Sequence, residues 1–261
     1  MNRLRALRVL AGTVWIEAVR RREIYALVLL CGGLIAAAGS MDFFGLGGLV
    51  KFYRETSLKL MDAATAVAVL LLATRQLPRE FERRTIYPLV ARPVGRWTFL
   101  LGKGLGVWGA GAFCYGLFMV LFLGGTWWLG GEVHGALFLQ HVYLQMLRAA
   151  VLTAAGFLLS LLMSHDAALA VGLLLYFASG VLGSAALLFY ELTNAAGRAL
   201  LMLLNYALPQ FVLFDLSEKA VHAEIWPPLS AGVVLALTGY ALAYVAAYGS
   251  AAYVLFRRRA L

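Results

Sequence analysis

Six long apolar runs constrain this chain more than any other feature of its sequence. They cover residues 24–40, 56–74, 104–130, 142–163, 167–190 and 229–256. A helix needs about 20 apolar residues to cross a bilayer core, and each run meets or approaches that length. The chain is 62% hydrophobic and 13% charged, whereas a soluble domain is about half apolar and about a quarter charged. The sequence therefore predicts an all-α, polytopic membrane protein with six transmembrane helices in a single transmembrane domain, residues 1–261.

The Lys and Arg residues predict how these spans are oriented. Three arginines, residues 20–22, precede the first span, and three more, residues 257–259, follow the last one. Because basic residues collect in short cytoplasmic segments, both termini are predicted to be cytoplasmic. Sixteen of the 22 Lys and Arg residues then lie on the inner side. A seventh apolar stretch, residues 199–214, is consequently predicted to be a re-entrant or interfacial helix within an outer loop, residues 191–228.

Residues 1–23 have the pattern of an amphipathic helix. Leu7, Leu10, Ala11, Val14 and Ala18 recur at helical spacing, and six arginines surround them. Such a helix is expected to lie in the inner membrane interface with its arginines near anionic lipid headgroups. A segment that only signals topology is the alternative.

The segment from Arg75 to Lys103 carries an unusual density of charge for this chain. It holds seven of the 22 Lys and Arg residues and two of the 13 acids. Pro78 suits the first turn of a helix, and Pro88 and Pro93 limit how far that helix can continue. The pattern predicts a short cytoplasmic helix between spans two and three. A positive loop packed on headgroups, with no protein partner, is the alternative.

Three short patterns within this segment carry a family resemblance. They are R-E-x-E-x-x-T, then R-P-V, then R-W-x-F-L-x-G-K, and their residues are Arg79, Glu80, Glu82 and Thr85; Arg92, Pro93 and Val94; and Arg96, Trp97, Phe99, Leu100, Gly102 and Lys103. Together they resemble the intracellular segment of permeases of the ABC transporter type-2 class. Arg84 stands where that class usually has Gly, and Gly95 where Ser or Thr is common.

The resemblance implies that the segment is a coupling helix that docks on a separate ATPase subunit. The implied docking residues are Arg79, Glu80, Phe81, Glu82, Arg83, Arg84, Thr85 and Tyr87. A tight inner turn, His165-Asp166, is a candidate second contact. The resemblance further implies two ATPase subunits and a second permease subunit of the same or a different kind. It implies either export across a bacterial cytoplasmic membrane or extraction of an amphipathic substrate from that membrane.

Motifs for chemistry are missing from the sequence. No phosphate loop of the form G-x-x-x-x-G-K-[ST] occurs, so the chain is predicted not to be an enzyme and to hold no cofactor. ATP and Mg²⁺ are expected in the partner ATPase. His134, His141 and His222 are predicted on the outer side without convincing ligand spacing, so no metal site is predicted. The distribution of charge argues against nucleic acid as a partner.

Two further sets of residues are candidates for a pathway or an interface. Asp62 and Arg148 are each placed about one and a half turns into their spans from the outer side, where they could pair, line a path or reach toward the interface. Gly102, Gly106 and Gly109 nearly share one face of span three. Such a stripe allows close helix packing, either within one subunit or between two permeases.

Two other functions stay open at this level. A membrane anchor or assembly scaffold would keep the charged segment but would need no pathway. An ion-coupled secondary transporter is expected to have charged groups at the bilayer midplane or interrupted helices there. The apolar runs show neither feature, so the sequence favours the permease.

Overall fold

The computed structural model describes residues 3–20, 22–40, 45–82, 95–133, 135–190 and 193–259. Within these residues all regular structure is helical. The elements are α1 (Arg3–Val19), α2 (Arg22–Gly39), α3 (Gly45–Glu82), α4 (Arg96–Trp128), α5 (Gly135–Leu162), α6 (His165–Tyr190), α7 (Ala195–Ala207), a 3₁₀ helix (Phe211–Phe214), α8 (Ser217–Val221) and α9 (Ala231–Arg259).

Four helices of the described chain are long and apolar enough to cross a membrane. They are the stretches Leu49–Glu80, Arg96–Trp128, Gly135–Leu162 and Ala231–Arg258. Two shorter apolar helices, Tyr25–Ala37 and His165–Gly180, fall where the first and fifth spans are predicted. The structure thus supports an all-helical, multi-pass protein, with four of the six predicted spans meeting the full length.

Helices α3 and α5 form the centre of the bundle. In each, 67% of the apolar stretch is buried, whereas only 6% of the corresponding stretch of α9 is buried. Lipid tails are as apolar as Leu, so membrane helices associate through close packing rather than through the hydrophobic effect. Glycines supply that packing here, because Gly111 of α4 lies against Val69 and Gly156 of α5 lies against Ala73.

The helix bundle has two ends, which we call the basal end and the distal end. At the basal end, Arg79 pairs with Glu17 and the guanidinium of Arg96 donates to the carbonyl of Arg257 at 3.5 Å. At the distal end, Gln140 Nε2 donates to the carbonyl of Leu229 at 3.0 Å. Exposed tryptophans mark both ends of α4, namely Trp97 at the basal end and Trp127 and Trp128 at the distal end. They are about 45 Å apart at 1.5 Å per residue, close to the full thickness of a bilayer with its interfaces.

Helix α3 differs from the prediction at both of its ends. It has 38 residues, beginning at Gly45, whereas the predicted span covers residues 56–74. The polar residues before the apolar run remain helical because they have partners: Lys51 pairs with Glu224 at 3.6 Å, and Arg54 donates to the carbonyl of Ala220 at 3.2 Å. The apolar run alone therefore underestimated the helix.

The sequence pattern predicts that a new helix begins at Pro78, and this prediction is wrong. Pro78 lies inside α3, which continues to Glu82. A proline within a helix removes one backbone hydrogen bond, to the residue four positions earlier. The neighbouring residues Gln76 and Leu77 are buried, so tertiary packing holds the backbone helical around it. The expected bends at Pro88 and Pro93 lie outside the described residues.

Helix α1 is formed as predicted, but protein covers its apolar face. Ala6, Leu10, Val14 and Ala18 are buried, and Leu10 and Val14 lie against Gly102 and Gly106 of α4. The opposite side of α1 exposes Arg5 and Arg8 together with Val9 and Ile16. This second face of α1 mixes arginines with apolar residues, and it is the face that remains available to lie in the membrane interface.

The stretch that is predicted to be re-entrant or interfacial consists of α7 and the 3₁₀ helix. Helix α7 ends against the middle of α9, where tyrosines at four-residue spacing cap its free carbonyls. Tyr244 donates to the carbonyl of Tyr206 at 2.7 Å, and Tyr248 donates to that of Ala207 at 2.9 Å. The last carbonyls of a helix have no partner within the helix, so these hydroxyls fix the depth at which α7 stops.

Candidate functional site

Five side chains from three helices form a polar network at the basal end, which we call the basal cluster: Glu17, Gln76, Arg79, Glu80 and Lys103. Lys103 Nζ donates to Glu80 Oε1 at 2.7 Å and to Gln76 Oε1 at 3.3 Å. Gln76 Nε2 donates to Glu17 Oε2 at 3.2 Å, and Arg79 forms an ion pair with Glu17. The network therefore ties α1, α3 and α4 together.

Lys103 is the buried centre of the basal cluster. Its side chain is only 5% exposed, and that of Glu80 is 19% exposed. A buried ammonium is costly unless it is paired and hydrogen-bonded. Its two acceptors meet that need with normal hydrogen-bond lengths. The basal cluster is consequently expected to hold α1, α3 and α4 in a fixed arrangement.

The predicted docking residues divide into three groups in the structure. Arg79 and Glu80 belong to the basal cluster, so their charged groups are already engaged within the chain. Phe81 and Glu82 form the last residues of α3, and their side chains lie outside the description. The remaining four, Arg83, Arg84, Thr85 and Tyr87, fall outside the described residues.

The inner turn before α6 lies beside the same end of α3. Arg75 Nε donates to His165 Nε2 at 2.6 Å. The same Nε2 lies 3.7 Å from Oδ1 of Asp166. Asp166 is 97% exposed in the first turn of α6, where the helix dipole favours an acid.

The three glycines of the predicted stripe on α4, Gly102, Gly106 and Gly109, have different surroundings. A Cβ at Gly102 would lie 2.8 Å from the Cβ of Leu10, and one at Gly106 would lie 2.7 Å from the Cβ of Val14. Gly109 has nothing within 4 Å of that position. Gly102 and Gly106 thus serve the contact between α1 and α4 of one chain, and Gly109 is the member of the stripe that is open.

A second group of ionisable side chains, the central charged cluster, consists of Lys59, Asp62, His141, Arg148 and Asp215. Arg148 Nη2 lies 3.1 Å from Asp62 Oδ2, and His141 Nε2 lies 3.4 Å from Asp62 Oδ1. Asp62, His141 and Arg148 are nearly completely buried, at 4%, 0% and 5% exposed. The cluster brings together α3, α5 and the segment after the 3₁₀ helix.

Asp62 and Arg148 lie near the middle of the helices that carry them. Asp62 is 17 residues after the start of α3, and Arg148 is 13 residues after the start of α5 and 14 before its end. At 1.5 Å per residue, Arg148 is about 20 Å from either end. Both helices begin before the apolar runs from which a depth of one and a half turns was predicted, and that depth in the membrane stays a prediction.

The central charged cluster is held by proximity more than by hydrogen bonds. Both carboxylate oxygens of Asp62, both ring nitrogens of His141 and Nη2 of Arg148 are buried without a hydrogen bond of good geometry. The guanidinium of Arg148 lies over the ring of Tyr176, 5.2 Å from its centroid. A cation over an aromatic face is attracted by the ring quadrupole. The formal charges of the cluster balance, but several of its hydrogen-bond donors and acceptors have no partner of good geometry.

Asp215 reaches the cluster from the loop between the 3₁₀ helix and α8. That loop is anchored to α5, because Gln145 Nε2 donates to the carbonyl of Phe214 at 3.2 Å. Partial burial alone would raise the pKa of Asp215. Bonds to Oδ1 from the hydroxyl and the amide of Ser217, at 2.6 and 2.9 Å, and the nearby positive charge of Arg148 outweigh it, so that the pKa lies below its ordinary value.

A cavity of about 210 Å³ opens beside this cluster. Its charged lining comes from Lys59, Asp62, Arg148 and Asp215, and its remaining walls are Ala63, Tyr176, Phe177, Ser179, Gly180, Phe211 and Val212. The cavity lies between α3, α5, α6 and the 3₁₀ helix. It combines a charged floor with aromatic and apolar walls.

The same acids and His141 have the composition of a metal site. Ligand atoms of Asp62, His141 and Asp215 lie within 4.8 Å of one another. The guanidinium of Arg148, however, already faces Asp62 at 3.1 Å, and a fixed cation there repels a metal ion from the same carboxylate. The donor set therefore fits a charge-balanced cluster better than a metal centre.

Sequence reasoning missed several members of both clusters. Glu17, Gln76 and Lys103 received no role of their own, although Lys103 is part of the quoted R-W-x-F-L-x-G-K pattern. A lysine six residues beyond a tryptophan, inside a long apolar helix, is a usable signal for a buried ion pair. Asp215 and Lys59 carry no such signal, because their meeting depends on how the loop after the 3₁₀ helix folds back on α3.

Comparison with known proteins supplies the family. No curated protein matches the sequence at a significant level. A family model described as ABC-2 family transporter protein matches residues 19–261. This match covers the spans, the charged segment and both clusters apart from Glu17. The chain belongs to the ABC-2 family of transporter proteins.

Proposed function

We propose that this chain is the membrane-spanning permease of an exporter, driven by a separate ATPase that docks on residues 75–103. Membership of the ABC-2 family implies an ABC ATPase partner in general. The observation that carries the proposal is the basal cluster, which lies where the docking segment leaves α3. Rigid charged pairs at that point couple the segment to the bundle.

The basal cluster offers a physical route for this coupling. Arg79 and Glu80 are attached to α1 through Glu17 and to α4 through Lys103. A displacement of the docking segment therefore pulls on three helices at once rather than on α3 alone. Packed helix bundles answer such displacements by switching between discrete arrangements. ATP binding and hydrolysis in the partner would supply the displacement.

The assembly that we propose contains two permease chains and two ATPase subunits in a bacterial cytoplasmic membrane. Both termini face the cytoplasm at the basal end, and ATP and Mg²⁺ bind only in the ATPase subunits. In this arrangement α7 enters from the outer side, stops beside the middle of α9 at Tyr248 and returns through the 3₁₀ helix. The hydroxyls of the α9 tyrosines support such a re-entrant path by capping α7 at that depth.

Co-purification tests the docking directly. The chain is co-expressed with candidate ABC ATPases from the same genome, and bound ATPase and ATP turnover are measured for Arg83→Glu combined with Arg84→Glu. We expect a loss of binding and of turnover by at least about tenfold, since two reversed charges oppose a polar partner. The matched control is Arg8→Glu, an exposed arginine of α1 at the same end. Unchanged binding of the double variant would overturn the docking role.

An ion-coupled secondary transporter is the second candidate, and the buried ionisable side chains of the central charged cluster favour it. Buried ionisable groups at membrane depth commonly mark ion or proton pathways. Proteoliposomes that contain this chain without any ATPase separate the two functions. Transport driven by a proton or sodium gradient, and abolished by Asp62→Asn, would support the ion-coupled reading.

A further inference from the structure

The cavity beside the central charged cluster has the features of a ligand site. Its floor is the pair of Asp62 and Arg148, and Lys59 and Asp215 lie at its rim. Asp62 and Arg148 keep oxygen and nitrogen atoms without hydrogen bonds of good geometry, although both side chains are at least nine-tenths buried. Buried polar groups are nearly always satisfied by protein, water or a ligand. The cavity is where a ligand could satisfy these.

Charge balance limits what that ligand can be. The four charged side chains that line the cavity are two cations and two anions, so their formal charges cancel. A net cation or a net anion would add an unbalanced charge at membrane depth, which is costly. A ligand with one positive and one negative group keeps this balance.

The size of the cavity indicates that only part of a ligand enters it. A volume of about 210 Å³ corresponds to about seven water molecules at about 30 Å³ each. That is below the size of a cavity for a complete drug-sized ligand. Phe177 and Val212 on its wall are 59% and 55% exposed, so they extend the site as an apolar surface toward the outside of the chain. A small charged head inside and an apolar tail outside fit this shape.

The two ends of the cavity differ in what they attract. Ser217 donates both of its bonds to Oδ1 of Asp215, and Oδ2 takes part in neither. An ammonium group beside Asp215 would also meet the aromatic ring of Phe211 in the cavity wall, which favours cations. Lys59 and the guanidinium of Arg148 suit the anionic group. Lys59 pairs with Glu55 at 2.6 Å, but that pair is exposed, and exposed pairs exchange partners readily.

We propose that this cavity binds the zwitterionic headgroup of a single-chain amphiphile, with the ammonium at Asp215 and the anionic group at Lys59 and Arg148. The inference rests on the proposed permease function and names the substrate class of that permease. The chemistry is shared by phosphocholine-type lipids and by free zwitterions. The exposed apolar wall commits the proposal to the amphiphile.

Binding of three amphiphiles with the same chain length tests the proposal. The full chain is purified in dodecyl maltoside, and retention of dodecylphosphocholine, dodecyltrimethylammonium and dodecyl sulfate is titrated by native mass spectrometry. We expect dodecylphosphocholine to bind at least about tenfold more tightly than either of the singly charged probes, because only it preserves the charge balance. Equal retention of the three probes would overturn the proposal.

Two variants at the rim of the cavity assign the ends of the ligand. Lys59→Gln and Asp215→Asn should each weaken dodecylphosphocholine at least about tenfold, and Asp215→Asn should raise the relative retention of dodecyl sulfate. Both residues are exposed, so the variants are expected to fold, which thermal unfolding checks. Lys51→Gln, an exposed lysine of α3 outside the cavity, is the matched control and should bind as the parent does. Equal effects of all three variants would contradict the assignment.

Free phosphocholine separates the two sources of the headgroup. We expect it to bind at least about tenfold more weakly than dodecylphosphocholine, because the exposed Phe177 and Val212 would bind the alkyl chain. Equal affinities would overturn the claim that the ligand is an amphiphile. These measurements need no ATPase, so they can fail while docking stands, and docking can fail while they stand.

Discussion

The basal cluster and the central charged cluster both hold buried charges between helices, but they satisfy them differently. In the basal cluster Lys103 donates two hydrogen bonds of 2.7 and 3.3 Å. In the central charged cluster Arg148 and Asp62 are just as close, at 3.1 Å, yet atoms of both remain without a hydrogen bond of good geometry. A filled network resists rearrangement, whereas an unfilled one can exchange its partners for water or a ligand.

This difference suggests a division of roles along the bundle. The basal cluster lies beside the docking segment and has the bonds of a rigid joint. The central charged cluster lines a cavity and has the free bonding capacity of a binding site. The experiments below test that contrast, beginning with the largest expected effect.

Lys103→Ala should have the largest effect on stability. It leaves Glu80 partly buried without its cation, and breaking a buried pair costs about 3–5 kcal/mol. Denaturant or thermal unfolding in detergent measures the loss. Lys59→Ala, whose side chain is 53% exposed, is the control and should cost less than about 1 kcal/mol. Lys103→Met combined with Glu80→Leu should recover most of the loss, because no charge is left unpaired.

Gly106→Ala should loosen the contact between α1 and α4. Its new Cβ would lie 2.7 Å from the Cβ of Val14 and 3.0 Å from the carbonyl of Ala11, and overpacking costs about 1–3 kcal/mol. Gly109→Ala meets nothing within 4 Å, so it should be neutral or stabilising by up to about 1 kcal/mol. Equal unfolding free energies of the two variants would show that α1 does not pack on α4 in the membrane.

Asp62→Asn should lower the unfolding free energy by about 1 kcal/mol, which is less than the loss expected for Lys103→Ala. This value is the lower end of the cost of an unsatisfied buried polar group. Arg148 borders the cavity, and its guanidinium still lies over the ring of Tyr176 at 5.2 Å. The same unfolding experiment measures it. A loss as large as that of Lys103→Ala would remove the contrast between a rigid and a loose cluster.

Asp215 should make the smallest contribution to the unfolding free energy, and this contribution should depend on pH. Its pKa is lowered in the folded chain, so its contribution is fully present above the ordinary carboxyl pKa and is lost as the pH falls through the lowered value. As the pH falls below about 4, the ordinary range of an Asp carboxyl, the unfolding free energy should therefore fall on this account. Asp215→Asn should remove that part of the slope, while Glu218→Gln, an exposed neighbour, should leave it.

Much of the fold was accessible from patterns along the chain. Apolar periodicity placed α1, whose buried residues include Leu10, Val14 and Ala18 as expected. The ends of α3 and α5 were not accessible in this way, because Lys51 and Arg54 are helical through partners more than 150 residues away. Pro78 was misread for a related reason, since packing around Leu77 overrides the local preference of proline.

By itself the sequence determined the class of the protein and the character of its charged segment. Long apolar runs leave a chain little choice but membrane helices, and the motifs between Arg79 and Lys103 are local. Only the tertiary structure decided which charges meet: Glu17 with Arg79, Lys103 with Glu80, and Asp62 with His141 and Arg148. Helix packing sets these meetings through side-chain shape and axial register, and neither is visible in a periodic pattern. A buried charge in such a chain is therefore recognised from its sequence, but its partner is found only in the fold.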